Sequence, residues 1–169
     1  MKVADTITTL SRNKTLLLTL VACTVVACNP SDPAPSAPKS LDALETGAVF
    51  WELLKPSERP LPHEFVACLR VGEADPSPET MAMLARPDEA VYRASECTMQ
   101  TQEPGSYHNV SGRKAMFYTV YDFQRVRKTK GVIRYSLFHH GLYGAGGECD
   151  LHFDDGRWKV DACHQSHVS

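Results

Sequence analysis

No run of the 169-residue chain is apolar over the roughly 20 residues that a membrane-spanning helix needs. The uncharged run near the N-terminus, Thr15 to Ala27, stops well short of that length. There is no excess of one charge, with 18 Lys/Arg against 20 Asp/Glu, and no basic stripe, so nucleic acid is excluded as the expected partner. No two cysteines are spaced C-x₂-C, which argues against a zinc knuckle. There is no G-x-S-x-G elbow. The glycine-rich segment Gly141-Leu-Tyr-Gly-Ala-Gly-Gly147 is followed by strand-type residues instead of a helix, so its amides are not set up to cradle a phosphate. Asp154-Asp155 belongs to a turn, not to a catalytic carboxylate pair. The chain is therefore read as non-catalytic, with no cofactor and no metal.

What is present begins at the N-terminus. Lys2, Arg12 and Lys14 stand against the single acid Asp5, followed by Leu16-Leu-Leu-Thr-Leu-Val-Ala-Cys-Thr-Val-Val-Ala-Cys28 and then Asn29-Pro-Ser-Asp-Pro-Ala-Pro-Ser-Ala-Pro-Lys-Ser40. A core helix would not be followed by twelve residues that cannot pack. Charged start, apolar run, small residues and cysteine resemble a bacterial lipoprotein signal peptide with its lipobox. Leu20-Val-Ala-Cys23 and Val25-Val-Ala-Cys28 both fit that box, and Cys28 is preferred because cleavage at Cys23 leaves an apolar mature end. The resemblance implies residues 1–27 as signal peptide, Cys28 as a lipid-bearing (palmitate-type) N-terminus, and a membrane anchor. Several acyl chains give firm attachment at about 0.8 kcal/mol per buried CH₂. Asn29 in place of Asp after Cys28 points to the periplasmic face of the outer membrane. Residues 28–40 then form a Pro/Ser-rich tether of about 3.1 Å per residue, and residues 41–169 one domain.

Setting Cys23 and Cys28 aside leaves Cys68, Cys97, Cys149 and Cys163, an even set that in an exported domain reads as two disulfides. Of three connectivities, Cys68–Cys97 with Cys149–Cys163 joins neighbouring elements. A two-residue turn at Asp154-Asp-Gly-Arg157 pairs Phe153 with Trp158, and hence Cys149 with Ala162, not with Cys163. Either a bulge shifts the register by one, or Cys149 bonds elsewhere.

Along the domain, Ser40 is the expected cap of a helix through Leu54, with Leu44, Ala48, Trp51 and Leu54 as its apolar stripe. Lys55-Pro56 ends it, and Phe65–Val71 reads as a strand. Asp75-Pro-Ser-Pro-Glu79 starts a short helix that turns Met81 and Leu84 inward and stops at Arg86-Pro87. Period-two patterns follow at Ala90–Cys97, Ala115–Phe123 and Gly131–Phe138, with a polar loop over 102–113. A final hairpin, 148–154 and 157–163, turns Leu151, Phe153, Trp158 and Val160 inward. Together these predict an α+β domain: an N-terminal helix packed on a curved antiparallel sheet that ends in a hairpin, with two disulfides. The ending, strand, Asp-Gly turn, Arg-Trp-Lys-Val, resembles the terminal hairpin of cystatin-like and nuclear-transport-factor-like folds, which host enzymes, carriers and binding modules alike.

All seven histidines lie beyond residue 41. His139 and His140 are adjacent and should face opposite ways in a strand, and the 131–140 strand should place His152 near Ser136, so no metal site is expected. Three side chains are candidates for contacting a partner: Leu142 and Tyr143 in the 141–147 hairpin loop, and Tyr118, which lies opposite Phe117, Tyr121 and Phe123 on its strand. The reading that follows is a lipid-anchored module that binds a periplasmic protein, of which an immunity or inhibitor lipoprotein is a specific form. Two alternatives stand beside it. One is a small-molecule or lipid carrier with a pocket lined by Trp51, Tyr135 and Trp158; the other is a structural lipoprotein of envelope assembly.

Overall fold

The structure, a computed structural model, describes residues 40–55, 64–85 and 90–168, all within the unit Pro35–Ser169. Cys23, Cys28, most of the tether, His63, the prolines at 56, 60 and 62, and Arg86-Pro87 lie outside the described residues. In chain order the elements are α1 (Ala43–Leu54), β1 (Phe65–Val71), α2 (Pro78–Leu84), β2 (Val91–Arg93), a 3₁₀ turn (Ala94–Glu96), β3 (Cys97–Thr98), β4 (Tyr107–His108), β5 (Lys114–Arg127), β6 (Lys130–His140), β7 (Tyr143–Asp154) and β8 (Arg157–Val168). No helix among the described residues is long and apolar enough to cross a membrane.

Asp42, not Ser40, caps α1. Its carboxylate accepts from Glu45 N while Glu45 returns a carboxylate oxygen to Asp42 N, a capping box that a serine two residues earlier cannot form. The buried face is also rotated from the expected stripe. Glu45, Thr46, Gly47, Val49 and Phe50 are covered, whereas Leu44 and Trp51 are exposed. Close approach of α2 fixes this: a Cβ on Gly47 would sit 3.0 Å from Met83 Sδ, so the helix turns its smallest residue, and not its most apolar stripe, toward its neighbour. Ser77 caps α2, with Pro78 in the first helical position.

The strands form one sheet in the order β2-β1-β5-β6-β7-β8, with β3 and β4 joined to β5 off that path. It is mixed, not antiparallel. β1 runs parallel to both β2 and β5; for β2 this follows because α2 carries the chain from β1 back to the same end before β2 begins. The fold is α+β with two disulfides, Cys68–Cys97 and Cys149–Cys163. The expected strand at 90–97 is broken after Arg93 by the 3₁₀ turn, which Asp75 holds through Ser95 N and Oγ. The polar loop over 102–113 contains β4 and two buried polar residues, Ser106 and His108.

Of the register shifts in the ladder, three decide where the aromatic, histidine and cysteine side chains fall. In β5, Met116, Tyr118 and Val120 join Val49, Phe50 and Trp158 in the main core, while Phe117 and Ala115 join Val66 and Cys68 in a smaller cluster on the other face. Between Tyr121 and Gln124 the register slips by one at Asp122, whose φ is 53°. Phe123 therefore leaves the face of Phe117 and Tyr121 and packs edge-on to Trp158 at 5.2 Å.

In β8 an extra residue at Asp161 separates the pairs Leu151↔Val160 and Asp150↔Ala162. That bulge brings Cys149 opposite Cys163 despite the two-residue turn, in which Asp155 and Gly156 both have positive φ.

The third irregularity lies in β6, at His139. The segment from Tyr143 to Gly147 is strand, not loop, which moves His152 opposite Lys130 instead of Ser136. Gly147 is required there, since a Cβ would lie 2.0 Å from His164 O and 2.8 Å from the Tyr135 hydroxyl.

Candidate functional site

One end of the sheet gathers the groups with the most chemistry. β6 pairs Phe138 with Gly144 and then His140 with Tyr143, so His139 is an extra residue that bulges from the ladder. Because of the bulge the adjacent histidines do not point apart; their rings meet edge to face at 5.0 Å. His139 is only 3% exposed. Its ring abuts Phe65 at 4.9 Å and Tyr143 at 6.1 Å, and Tyr143 also lies 6.1 Å from His140. Strand β1 supplies Phe65, β6 the histidines and β7 the tyrosine, so three elements hold the cluster.

Hydrogen bonds fix the imidazoles. His139 Nδ1 lies 2.9 Å from the Ala115 carbonyl, which can only accept, so Nδ1 carries the proton. His140 Nδ1 accepts from Leu142 N at 3.2 Å. The bulged His139 carbonyl accepts from Ser106 N at 2.9 Å and from Ser106 Oγ at 2.6 Å, and Gly141 N donates to Thr101 O at 2.9 Å. The 99–106 loop is thereby sewn to the β6–β7 turn. At the tip of that turn Leu142 is 82% exposed and Tyr143 45% exposed.

Among the expected contact residues, Leu142 and Tyr143 are together at this turn, whereas Tyr118 is 6% exposed within the main core and offers no surface. The parity of β5 separates Tyr118 from Phe117 as expected, but the face it joins is the one that α1 covers. Phe65 and the pairing of His139 with His140 are not legible from spacing alone. The signal was the double histidine itself, and the bulge that makes both rings converge depends on the partner strand.

A second concavity, about 520 Å³, runs between α1, α2 and β8 and is lined by Leu44, Trp51, Met83, Leu84, Trp158 and Val160 among others. Tyr135, expected beside Trp51 and Trp158, is instead buried in the core, where burial pushes its phenol upward from the ordinary value. The solvent face of β5–β8 carries a ladder of charges. Arg134 bridges Asp122 and Glu148 at 3.0 Å each, and Lys130 pairs with Asp161 at 3.1 Å. Hydrogen bonds from Lys130 and His152 hold the Asp161 carboxyl below its usual range. These groups are exposed and mutually compensated. No cluster of three His, Cys, Asp or Glu able to hold an ion occurs among the described residues.

Comparison with protein-family models, with curated proteins and with solved structures finds no match for this chain.

Proposed function

We propose that this protein is a non-catalytic protein-binding module, carried by a lipid on Cys28 and the 28–40 tether at the periplasmic face of the outer membrane. The observation that supports the binding reading is the β6–β7 turn. Leu142 and Tyr143 stand out from the long β6–β7 hairpin, whose β7 strand is cross-linked to β8 by Cys149–Cys163 and whose tip is tied to the 99–106 loop. A rigid, solvent-facing aliphatic and aromatic pair costs little conformational entropy to bury and is the composition of an interface anchor. Inhibition of a partner enzyme, the immunity-lipoprotein form of this reading, requires no more than such a surface.

Two measurements test it. Metabolic labelling with palmitate should mark the full chain and its Cys23→Ala variant but not Cys28→Ala; label retained by Cys28→Ala refutes the anchor. Affinity capture with the detergent-solubilised chain should retain one stoichiometric protein, lost when Leu142→Ser and Tyr143→Ala are combined. Capture unchanged by that double variant refutes the contact surface.

A carrier is the second reading, favoured by the groove beside α1. Trp51, Leu44 and Met83 are all about 40% exposed around it, an unusual concentration of accessible apolar side chains. Native mass spectrometry of protein purified from its host should then show a bound small molecule that denaturation releases.

A further inference from the structure

The chain as a whole carries no excess of cations, but one hairpin tip does. Arg125, Arg127, Lys128 and Lys130 fall within six residues that hold no acid, and every residue from 124 to 130 is exposed. The tip is the two-residue connection between β5 and β6, and the ladder sets Arg127 directly opposite Lys130. Like charges in that position destabilise a strand pair. Lys130 has Asp161 at 3.1 Å, whereas Arg127 and Lys128 have no ion-pair partner among the described residues. The neighbouring β7–β8 turn does not cancel the charge, since Lys159 already pairs with Asp154 and Asp155, and Arg157 adds a cation. Between the two arginines Val126 is 62% exposed. We infer that this tip docks the domain on a membrane surface of anionic phospholipid, with Arg127 and Lys128 among the headgroups and Val126 against the acyl boundary. The inference rests on the lipid anchor of the proposed function and adds the orientation in which the anchored domain sits.

The point where the chain enters the domain supports that orientation. Ser40 is the first described residue, and Asp42 caps α1. Glu45, in the first turn of that helix, accepts from Trp158 N at 2.6 Å. Trp158 is paired with Phe153, whose N–H donates to the Thr129 carbonyl at 3.0 Å. These contacts place the start of α1 at the same end of the sheet as the basic tip, so the 28–40 tether joins the domain at the end that bears the charge. β5 runs from that tip back to Lys114, and at about 3.3 Å per residue its two ends lie roughly 40 Å apart. The Leu142–Tyr143 turn is at the far end, turned away from the bilayer and open to a protein partner.

Other anionic partners fit less well. A small anion has no closed seat, because the recess of about 320 Å³ beside Val126 is also lined by Asp150 and Asp161. A nucleic acid would find no aromatic ring from 125 to 130 on which to stack a base. A bilayer needs neither a cavity nor a stack. It offers negative charge spread over an apolar interior, which matches cations that flank an exposed valine.

Lysine footprinting tests the inference. The full chain, reconstituted into phosphatidylcholine vesicles with or without phosphatidylglycerol, is treated with a water-soluble amine-acylating reagent and read lysine by lysine by mass spectrometry. With phosphatidylglycerol present, labelling of Lys128 should slow roughly 30-fold, the factor for two cations at about 1 kcal/mol each. Lys114, at the other end of β5, should keep its rate. Salt at about 1 M, which screens charges beyond about 3 Å, should restore Lys128 labelling. Val126→Asp combined with Arg127→Glu, both at exposed positions, should do the same. Equal Lys128 labelling in the two kinds of vesicle overturns the inference, as does protection shared by Lys114 or retained in the double variant. Protection by polyglutamate and not by phosphatidylglycerol vesicles assigns the tip to an acidic protein and overturns the lipid surface. Flotation separates docking from anchoring. A chain that floats with neutral vesicles yet leaves Lys128 open under every condition keeps its anchor and overturns the docking alone. One that floats only with phosphatidylglycerol vesicles and protects Lys128 there supports the docking and removes the anchor.

Discussion

Replacing Glu45 by alanine should destabilise this protein more than any other single charge deletion on α1. The side chain is 4% exposed and serves two elements at once. One oxygen accepts from Asp42 N at 2.9 Å and closes the capping box; the other accepts from Trp158 N at 2.6 Å. Trp158 follows the Asp155-Gly156 turn in β8, an edge strand, at a position paired with Phe153. Its N–H points away from β7, and Glu45 is what satisfies it. Loss of the reciprocal cap costs about 1 kcal/mol, and an orphaned buried N–H costs about 1–3 kcal/mol. The expected total is roughly 2–4 kcal/mol, a fall in Tm of about 4 °C per kcal/mol for a domain of this size. Glu45→Gln keeps one acceptor oxygen and should lose about half as much. Guanidinium unfolding with unchanged slope measures the loss, and hydrogen exchange at the Trp158 amide reports the site directly. Stability of Glu45→Ala within about 0.5 kcal/mol of the parent, with Trp158 protection intact, would refute the reasoning.

Other substitutions separate packing from conformation. Gly147→Ala forces a Cβ onto the His164 carbonyl and should cost about 3 kcal/mol or more, whereas Gly112→Ala, with φ of 66° and nothing within 4 Å, should cost only about 1 kcal/mol; similar midpoints in denaturant for the two would contradict the contact. Opening the core cross-link with Cys149→Ala and Cys163→Ala should lower stability by about 3 kcal/mol for a loop of this length, and a loss below about 1 kcal/mol would show that the β7–β8 ladder alone constrains the hairpin. Burial raises the Tyr135 phenol, so the folded state holds that proton longer than the unfolded chain does. Its contribution is complete below about pH 10 and is lost as pH rises through the higher folded value. Stability should therefore decline in alkali, and Tyr135→Phe should flatten that decline in a pH series of unfolding curves.

The sequence by itself determined the features that depend on near neighbours. Phe65–Val71 is an apolar run of strand length, Pro78 follows a capping serine, and Asp155-Gly156 supplies two residues able to take positive φ. Period two turned Leu151 and Trp158 inward together, because alternation along one strand is a local property. The four cysteines of the domain are an even set, and they form two pairs. The structure decided what depends on a partner strand or a covering element. Bulges at Asp122, His139 and Asp161 each reverse the parity of the residues that follow, up to the next irregularity in the strand. One extra residue moves Phe123 to the core, turns His139 and His140 together, and brings Cys149 to Cys163. Parallel pairing of β1 with β2 came from the return path through α2, and the burial of Tyr118 from which face α1 covers. A side chain's orientation is written in its own strand, but whether that orientation meets core, cavity or water depends on residues far away in the chain.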